Sequence, residues 1–161
     1  PVELMTIINK SLTELIPVGQ FCTCLIGLLD LDAKNFTYVS AGSTHPIVYF
    51  AKQNKFILGD GTGMPLGILK EADYETRTLD MPDGASLVLY SDLLWDDVGA
   101  IPGISFLTAD IPDFIKDLGG RNITDVIRDH LNLLGNTNFS DDLTLVELTM
   151  PDNIINQGEN P

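Results

Sequence analysis

The chain has 161 residues, of which 44% are hydrophobic, enough to bury the core of one globular domain and too much for a disordered tail. Its formal net charge is −14, with only nine Lys and Arg. That balance excludes a generic affinity for nucleic acid or an anionic membrane surface, which rests on neutralising phosphates with basic side chains. A cationic partner or a divalent metal suits it better.

The sequence enters a helical pattern directly after Pro1, with Met5, Ile8, Leu12 and Leu15 on one face. A chain that starts this way is expected to be a fragment, with further functional residues upstream. Residues 21–31 and 36–40 are β-type runs joined by a turn at Asp32-Ala33-Lys34-Asn35. Cys22 and Cys24 alternate onto one face of the first run. They read as buried free thiols, because a lone C-x-C with only His45 and His130 elsewhere is a poor zinc set. Residues 47–50 and 55–58 form a second pair of strands around Gln53-Asn54. Residues 59–67 hold four glycines and one proline, so a loop with unusual backbone angles is expected there. Residues 74–79 and 85–90 read as a third pair turning at Pro82-Asp83-Gly84.

Beyond this point the pattern becomes helical. Residues 111–118 read as a short helix candidate closed by Gly119-Gly120. A stronger helix covers 122–134, with Asn122 as N-cap, apolar Ile123, Val126, Ile127, Leu131 and Leu134, and Gly135 as the stop. A last strand is expected at 143–148, and 151–161 read as a polar tail after one domain spanning 1–150. The order predicts an α+β fold of antiparallel β-sheets layered with α-helices. No apolar run approaches the roughly 20 residues needed to cross a bilayer, and no basic-then-apolar signal opens the chain. The expected location is the cytoplasm.

Asp92 directly follows the apolar run 87–90, and Asp141 and Asp142 directly precede the run 143–148. If those strands are antiparallel neighbours, the end of one lies beside the start of the other and the carboxylates converge on one rim. Clustered carboxylates suit hard cations such as Mn²⁺ or Mg²⁺, and a metal held there activates water towards a phosphoryl group. The competing reading has the same aspartates capping turns at strand ends, where Asp is common for backbone hydrogen-bonding reasons.

Several segments carry a family resemblance. Gly84-Ala85-Ser86-Leu87-Val88-Leu89-Tyr90-Ser91-Asp92 resembles GDxLxLYTDG; Ser40-Ala41-Gly42-Ser43-Thr44-His45-Pro46 resembles NAGHxP; Gly63-Met64-Pro65-Leu66-Gly67-Ile68 resembles GxPLGI. Ser140-Asp141-Asp142-Leu143-Thr144 is similar to a DDxT ending, and Asn9 followed by Leu12 to an LNxxL helix. Together, in this order, they resemble the RsbU and SpoIIE group of bacterial protein phosphatase 2C-like (PPM) enzymes over roughly residues 4–149. The resemblance implies an αββα sandwich, incomplete at its N-terminus. It also implies two Mn²⁺ or Mg²⁺ ions that serve hydrolysis of phosphoserine or phosphothreonine. Asp92 and Asp141 would be ligands, with Asp142 as second choice. The implied partner is a phosphoprotein substrate or a regulatory protein.

The chain departs from the group at three places. Leu93 stands where the group keeps Gly, Ser43 stands where it keeps His, and the GDxxGHG segment that supplies another metal Asp is absent from these residues. Little or no activity is expected of the chain alone. The alternative is a catalytically degenerate regulatory module that binds a protein through the same rim. His45 reads as a rim histidine or a phosphate contact, and His130 as a packed one. Trp95, with Leu93 and Leu94, reads as a buried run or a rim contact, and Asp96-Asp97 as solvated. The glycine-rich loop lacks a following Lys-Ser/Thr and is not a nucleotide-binding loop; it is expected to join strands and leave Leu66 and Ile68 for burial.

Overall fold

A computed structural model describes residues 1–92, 121–133 and 142–152, except for the side chains of residues 130, 131 and 133. Helix α1 covers Val2–Leu15. The strands are β1 (Cys24–Asp30), β2 (Asn35–Ala41), β3 (Ile47–Phe50), β4 (Lys55–Leu58), β5 (Arg77–Asp80), β6 (Ala85–Tyr90) and β7 (Leu145–Thr149), and helix α2 covers Ile123–Leu133. They form two antiparallel sheets, ordered β1-β2-β5 and β4-β3-β6-β7.

The β1–β2 hairpin closes where expected. Asp30 Oδ1 accepts the amides of Asp32 and Ala33 at 3.0 and 2.8 Å, and Lys34 takes a positive φ of 53°. Between β3 and β4, one 3₁₀ turn at Ala51–Gln53 ends on Asn54 at φ 45°. Short polar side chains tolerate that left-handed region better than bulky ones do.

The third expected pair is not a pair. β5 lies against β2, with Phe36 opposite Leu79, whereas β6 lies between β3 and β7, with Leu87 opposite both Val48 and Leu148. The turn at 82–84 carries the chain from one sheet to the other. Met81 and Ala85, on either side of it, are both buried in the core between the sheets. That core is built by alternation: Phe36 and Tyr38 from β2 meet Val48 from β3 and Leu87 from β6.

The other face of the first sheet is covered by α1. Met5 is fully buried there with Val39, Ala41, Leu66 and Tyr74, and Ile8 and Leu12 pack alongside. Leu15, expected on the same stripe, is instead 78% exposed; it is the last residue of the helix, beyond the edge of the contact. Helix α2 caps the second sheet, with Ile123 and Ile127 buried. Its Thr124 amide, which the expected N-cap at Asn122 would ordinarily take, donates to the Glu147 carboxylate of β7 at 3.1 Å, and the Thr124 hydroxyl donates to the same oxygen at 3.0 Å. Glu147 shares its sheet face with Val88, across the register, which places α2 on the side of β6 turned away from the inter-sheet core. The layering is helix, sheet, sheet, helix, as the α+β expectation required.

Cys22 and Cys24 are free, as expected, but Cys22, which precedes β1 and bridges only to Leu66, is exposed, and Cys24, on the edge strand β1, is only half-buried. The expected helix at 111–118, Trp95, Asp96-Asp97, the side chain of His130 and nearly all of the 151–161 tail lie outside the described residues. Among the described residues no helix is long and apolar enough to cross a membrane.

Candidate functional site

β6 and β7 are antiparallel neighbours, and the last pair of the ladder is Tyr90 with Leu145. The contact continues past the strands through Ser91. Its amide donates to Thr144 O at 3.0 Å, its hydroxyl donates to Asp142 O at 3.0 Å, and the same hydroxyl accepts the Thr144 amide at 2.9 Å. A single serine thus stitches the segment carrying Asp92 to the segment carrying Asp142. Both aspartates are exposed. Asp141 lies outside the described residues.

Asp92 and Ser91 line an open pocket of about 300 Å³ with Tyr90, Thr23 and residues 42–45. The wall formed by 42–45 is tied to the strand end, because Thr44 Oγ1 donates to Tyr90 O at 2.6 Å. His45 is anchored from behind, with Nδ1 2.7 Å from Gly59 O and 3.0 Å from Gly61 N. It donates to the carbonyl in one tautomer and accepts from the amide in the other. Burial pushes the Tyr90 phenol above its ordinary range, so this side chain is neutral at physiological pH.

The loop after β4 supports that wall. Ser40 Oγ donates to Gly61 O at 2.6 Å and accepts the Ser43 amide at 3.1 Å. The Asp60 carboxylate is held below its ordinary range, first by hydrogen bonds from Thr62 and then by Arg77, whose Nε lies 3.0 Å away. Gly63 passes so close to β2 that a Cβ there would stand 2.2 Å from Ser40 O. Leu66 is buried as expected. Ile68 is not: the chain reverses at Gly67 (φ 89°), and Ile68 is left 52% exposed.

Sequence reasoning found the strand ends and Asp92, but passed over Ser91, Thr44, Ser40 and Asn9 as working residues. All four lie in the motif segments quoted above, and Asn9 also stands out as a polar residue within the apolar stripe of α1.

Carboxylates with nearby hydroxyls are the hard oxygen donors that a divalent ion takes. Asp92 and Asp142 supply two exposed carboxylates of that kind, on segments joined by Ser91. Among the described residues, no three His, Cys, Asp or Glu side chains are grouped closely enough to complete one.

Comparison with known proteins gives this geometry a context. The chain is 28% identical over 92 residues to the phosphoserine phosphatase RsbU of Bacillus subtilis, covering 57% of this chain and 28% of that protein. Its fold is similar to the RsbU and RsbW domains of a Mycobacterium tuberculosis protein, with a TM-score of 0.70 at 23% identity, covering 93% of this chain and 42% of that one. It is also similar to RsbX solved in complex with magnesium, with a TM-score of 0.62 at 18% identity, covering 92% and 63% of the two chains. The chain therefore spans well under half the length of the first relatives it matches. At these identities the structural likeness establishes the PP2C-like α+β fold. The profile of the stage II sporulation protein E (SpoIIE) family matches residues 1–151, and the chain belongs to that family, as a bacterial PPM domain of the RsbU and SpoIIE group.

Proposed function

We propose that this chain is part of a metal-dependent protein phosphatase domain that hydrolyses phosphoserine or phosphothreonine on a protein substrate in bacterial signalling. The observation that carries the reading is the Ser91 stitch, which sets Asp92 and the Asp142 segment on one rim beside an open pocket. Asp92, Asp141 and Asp142 would hold Mn²⁺ or Mg²⁺, and a bound ion would supply an activated water and polarise a phosphoryl oxygen. The chain's own residues do the positioning. Ser91 sets the spacing of the carboxylate segments, Thr44 ties the opposite wall to the strand end, and the neutral Tyr90 adds no further negative charge beneath the rim. Relatives named for phosphoserine hydrolysis and for magnesium binding support the reading, and free thiols fit work in the reducing cytoplasm.

The test is Mn²⁺ titration of the chain, followed by electron paramagnetic resonance, in wild type, Asp92→Asn and Asp141→Asn. Either substitution should weaken binding by roughly tenfold or more, since each removes a charged ligand. Turnover of p-nitrophenyl phosphate by these 161 residues alone should be slight, because two-metal chemistry needs ligands beyond this rim. Binding indifferent to both substitutions, or turnover independent of metal, refutes the assignment.

A second reading follows from Leu93, which adds a side chain where the group keeps Gly. On this reading the rim binds a regulatory protein and performs no hydrolysis. Restoring Gly at 93 separates the two: a large gain in Mn²⁺ affinity marks Leu93 as the obstruction, whereas an unchanged affinity favours the enzyme reading.

A further inference from the structure

Asn9 is the most deeply buried polar side chain described, with no exposed surface, and every hydrogen bond of its amide crosses from α1 to one loop. Its Nδ2 donates to Leu69 O at 2.8 Å and Lys70 O at 3.2 Å, and its Oδ1 accepts the Gly67 amide at 3.0 Å. The loop it grips touches both sides of the pocket. On one side Leu66 exchanges backbone hydrogen bonds with Cys22 at 2.8 and 3.0 Å, next to the pocket residue Thr23. On the other side Pro65 packs against Gly42, where a Cβ would lie 3.0 Å from the proline Cγ, and Gly63 lies against Ser40, whose hydroxyl holds the Ser43 amide.

We infer that Asn9 is a positioning residue: from α1, on the sheet face where Leu66 is buried, it holds the end of the 63–70 loop, and through that loop sets the spacing of the two pocket walls opposite Asp92. The inference rests on the reading of the pocket as a metal and phosphoryl site only for its functional half. The physical reason is economy of partners. A buried amide left without partners is costly, so this side chain holds the loop in the one arrangement that satisfies its acceptor and its donor together.

The experiment compares wild type with Asn9→Ala, Asn9→Asp and Met81→Ala in the full chain. Met81 is buried at the opposite end of the sandwich and serves as a control for general loss of stability. Amide hydrogen exchange is read at Cys22, Leu66 and Ser43, and Mn²⁺ affinity by paramagnetic resonance. Asn9→Ala should accelerate exchange at the three amides by roughly tenfold, the scale of one lost buried hydrogen bond, and weaken Mn²⁺ binding severalfold. Asn9→Asp keeps the acceptor for Gly67 but sets a buried carboxylate oxygen against Leu69 O and Lys70 O, and should accelerate exchange at least as much as Asn9→Ala. Met81→Ala should leave the three amides within twofold of wild type relative to the β3 and β4 amides.

Exchange in Asn9→Ala that matches wild type or the Met81→Ala control overturns the inference. Faster exchange with unchanged Mn²⁺ affinity overturns its functional half and leaves Asn9 a purely structural residue. Wild type that binds no Mn²⁺ refutes the metal reading of the pocket and the functional half with it, while the exchange data still decide whether Asn9 holds the walls.

Discussion

Gly63→Ala should be among the most damaging single-methyl changes in the protein. The added Cβ would stand 2.2 Å from Ser40 O and 3.1 Å from Ser40 C, where unstrained contacts begin at about 3.5 Å. More than an ångström of relief must come from backbone, because the obstructing atoms belong to β2, which is paired to β1 through Ser40 and Leu25. Overpacking of this kind costs about 1–3 kcal/mol. Gly63 also sits at φ 151°, which costs an L-residue about 1–2 kcal/mol more. The lower entropy of the unfolded chain returns about 0.4–1 kcal/mol. The net is about 2–3 kcal/mol, which in a domain of this size lowers the melting temperature by about 5–10 °C.

Gly19→Ala isolates the steric part. Gly19 has φ 91°, with nothing within 4 Å of an added Cβ, so it bears the dihedral cost alone, about 1 kcal/mol or less after the entropy return. Thermal and urea unfolding followed by circular dichroism on the full chain would measure both. Equal losses in the two variants would refute the claim that the loop is pressed against Ser40.

Three further outcomes follow from the same geometry. Ser91→Ala removes a hydroxyl that bonds both Asp142 O and Thr144 N; stability should fall by only about 1 kcal/mol at this half-buried position, with a larger proportional loss of Mn²⁺ affinity in the titration described above. Glu147→Ala removes the acceptor for both the amide and the hydroxyl of Thr124 at the start of α2, costing about 1–2 kcal/mol in urea unfolding and loosening α2 amides first in hydrogen exchange. The Asp60 carboxylate is depressed first by Thr62 and then by Arg77. Its contribution is therefore fully present above the ordinary value of 3.8 and lost as pH falls through the lower folded value. The difference between wild type and Asp60→Asn, about 1 kcal/mol or less for this half-exposed group, should be present at neutral pH and vanish in strong acid.

Much of the fold was legible because its signals are local. Residues 47–50, 55–58 and 85–90 have the expected bounds, since alternating or continuous apolar runs flanked by Gly, Pro and Asn leave the backbone few alternatives. The pairing of 74–79 with 85–90 failed for a different reason. A Pro-Asp-Gly turn reverses the chain equally well within one sheet or between two, and only the burial of Met81 and Ala85 between the sheets selects the second. The incomplete burial of Cys24 was hidden likewise, because alternation tells which residues share a face but not whether a strand lies at a sheet edge.

The candidate site divides along the same line. The sequence by itself determined that an aspartate follows β6 and that an aspartate pair precedes β7, that the loop between β4 and β5 needs glycine, and that the motif order is that of the RsbU and SpoIIE group. Those are properties of neighbours in the chain. Tertiary structure decided that the two strand ends meet through Ser91, that Thr44 and His45 form the facing wall, and that Asn9 of the first helix bonds the loop after β4 at Gly67. Each of these contacts joins residues 14 to 58 positions apart in sequence. Such contacts depend on how sheets and helices stack, and no local pattern of residue types encodes that stacking.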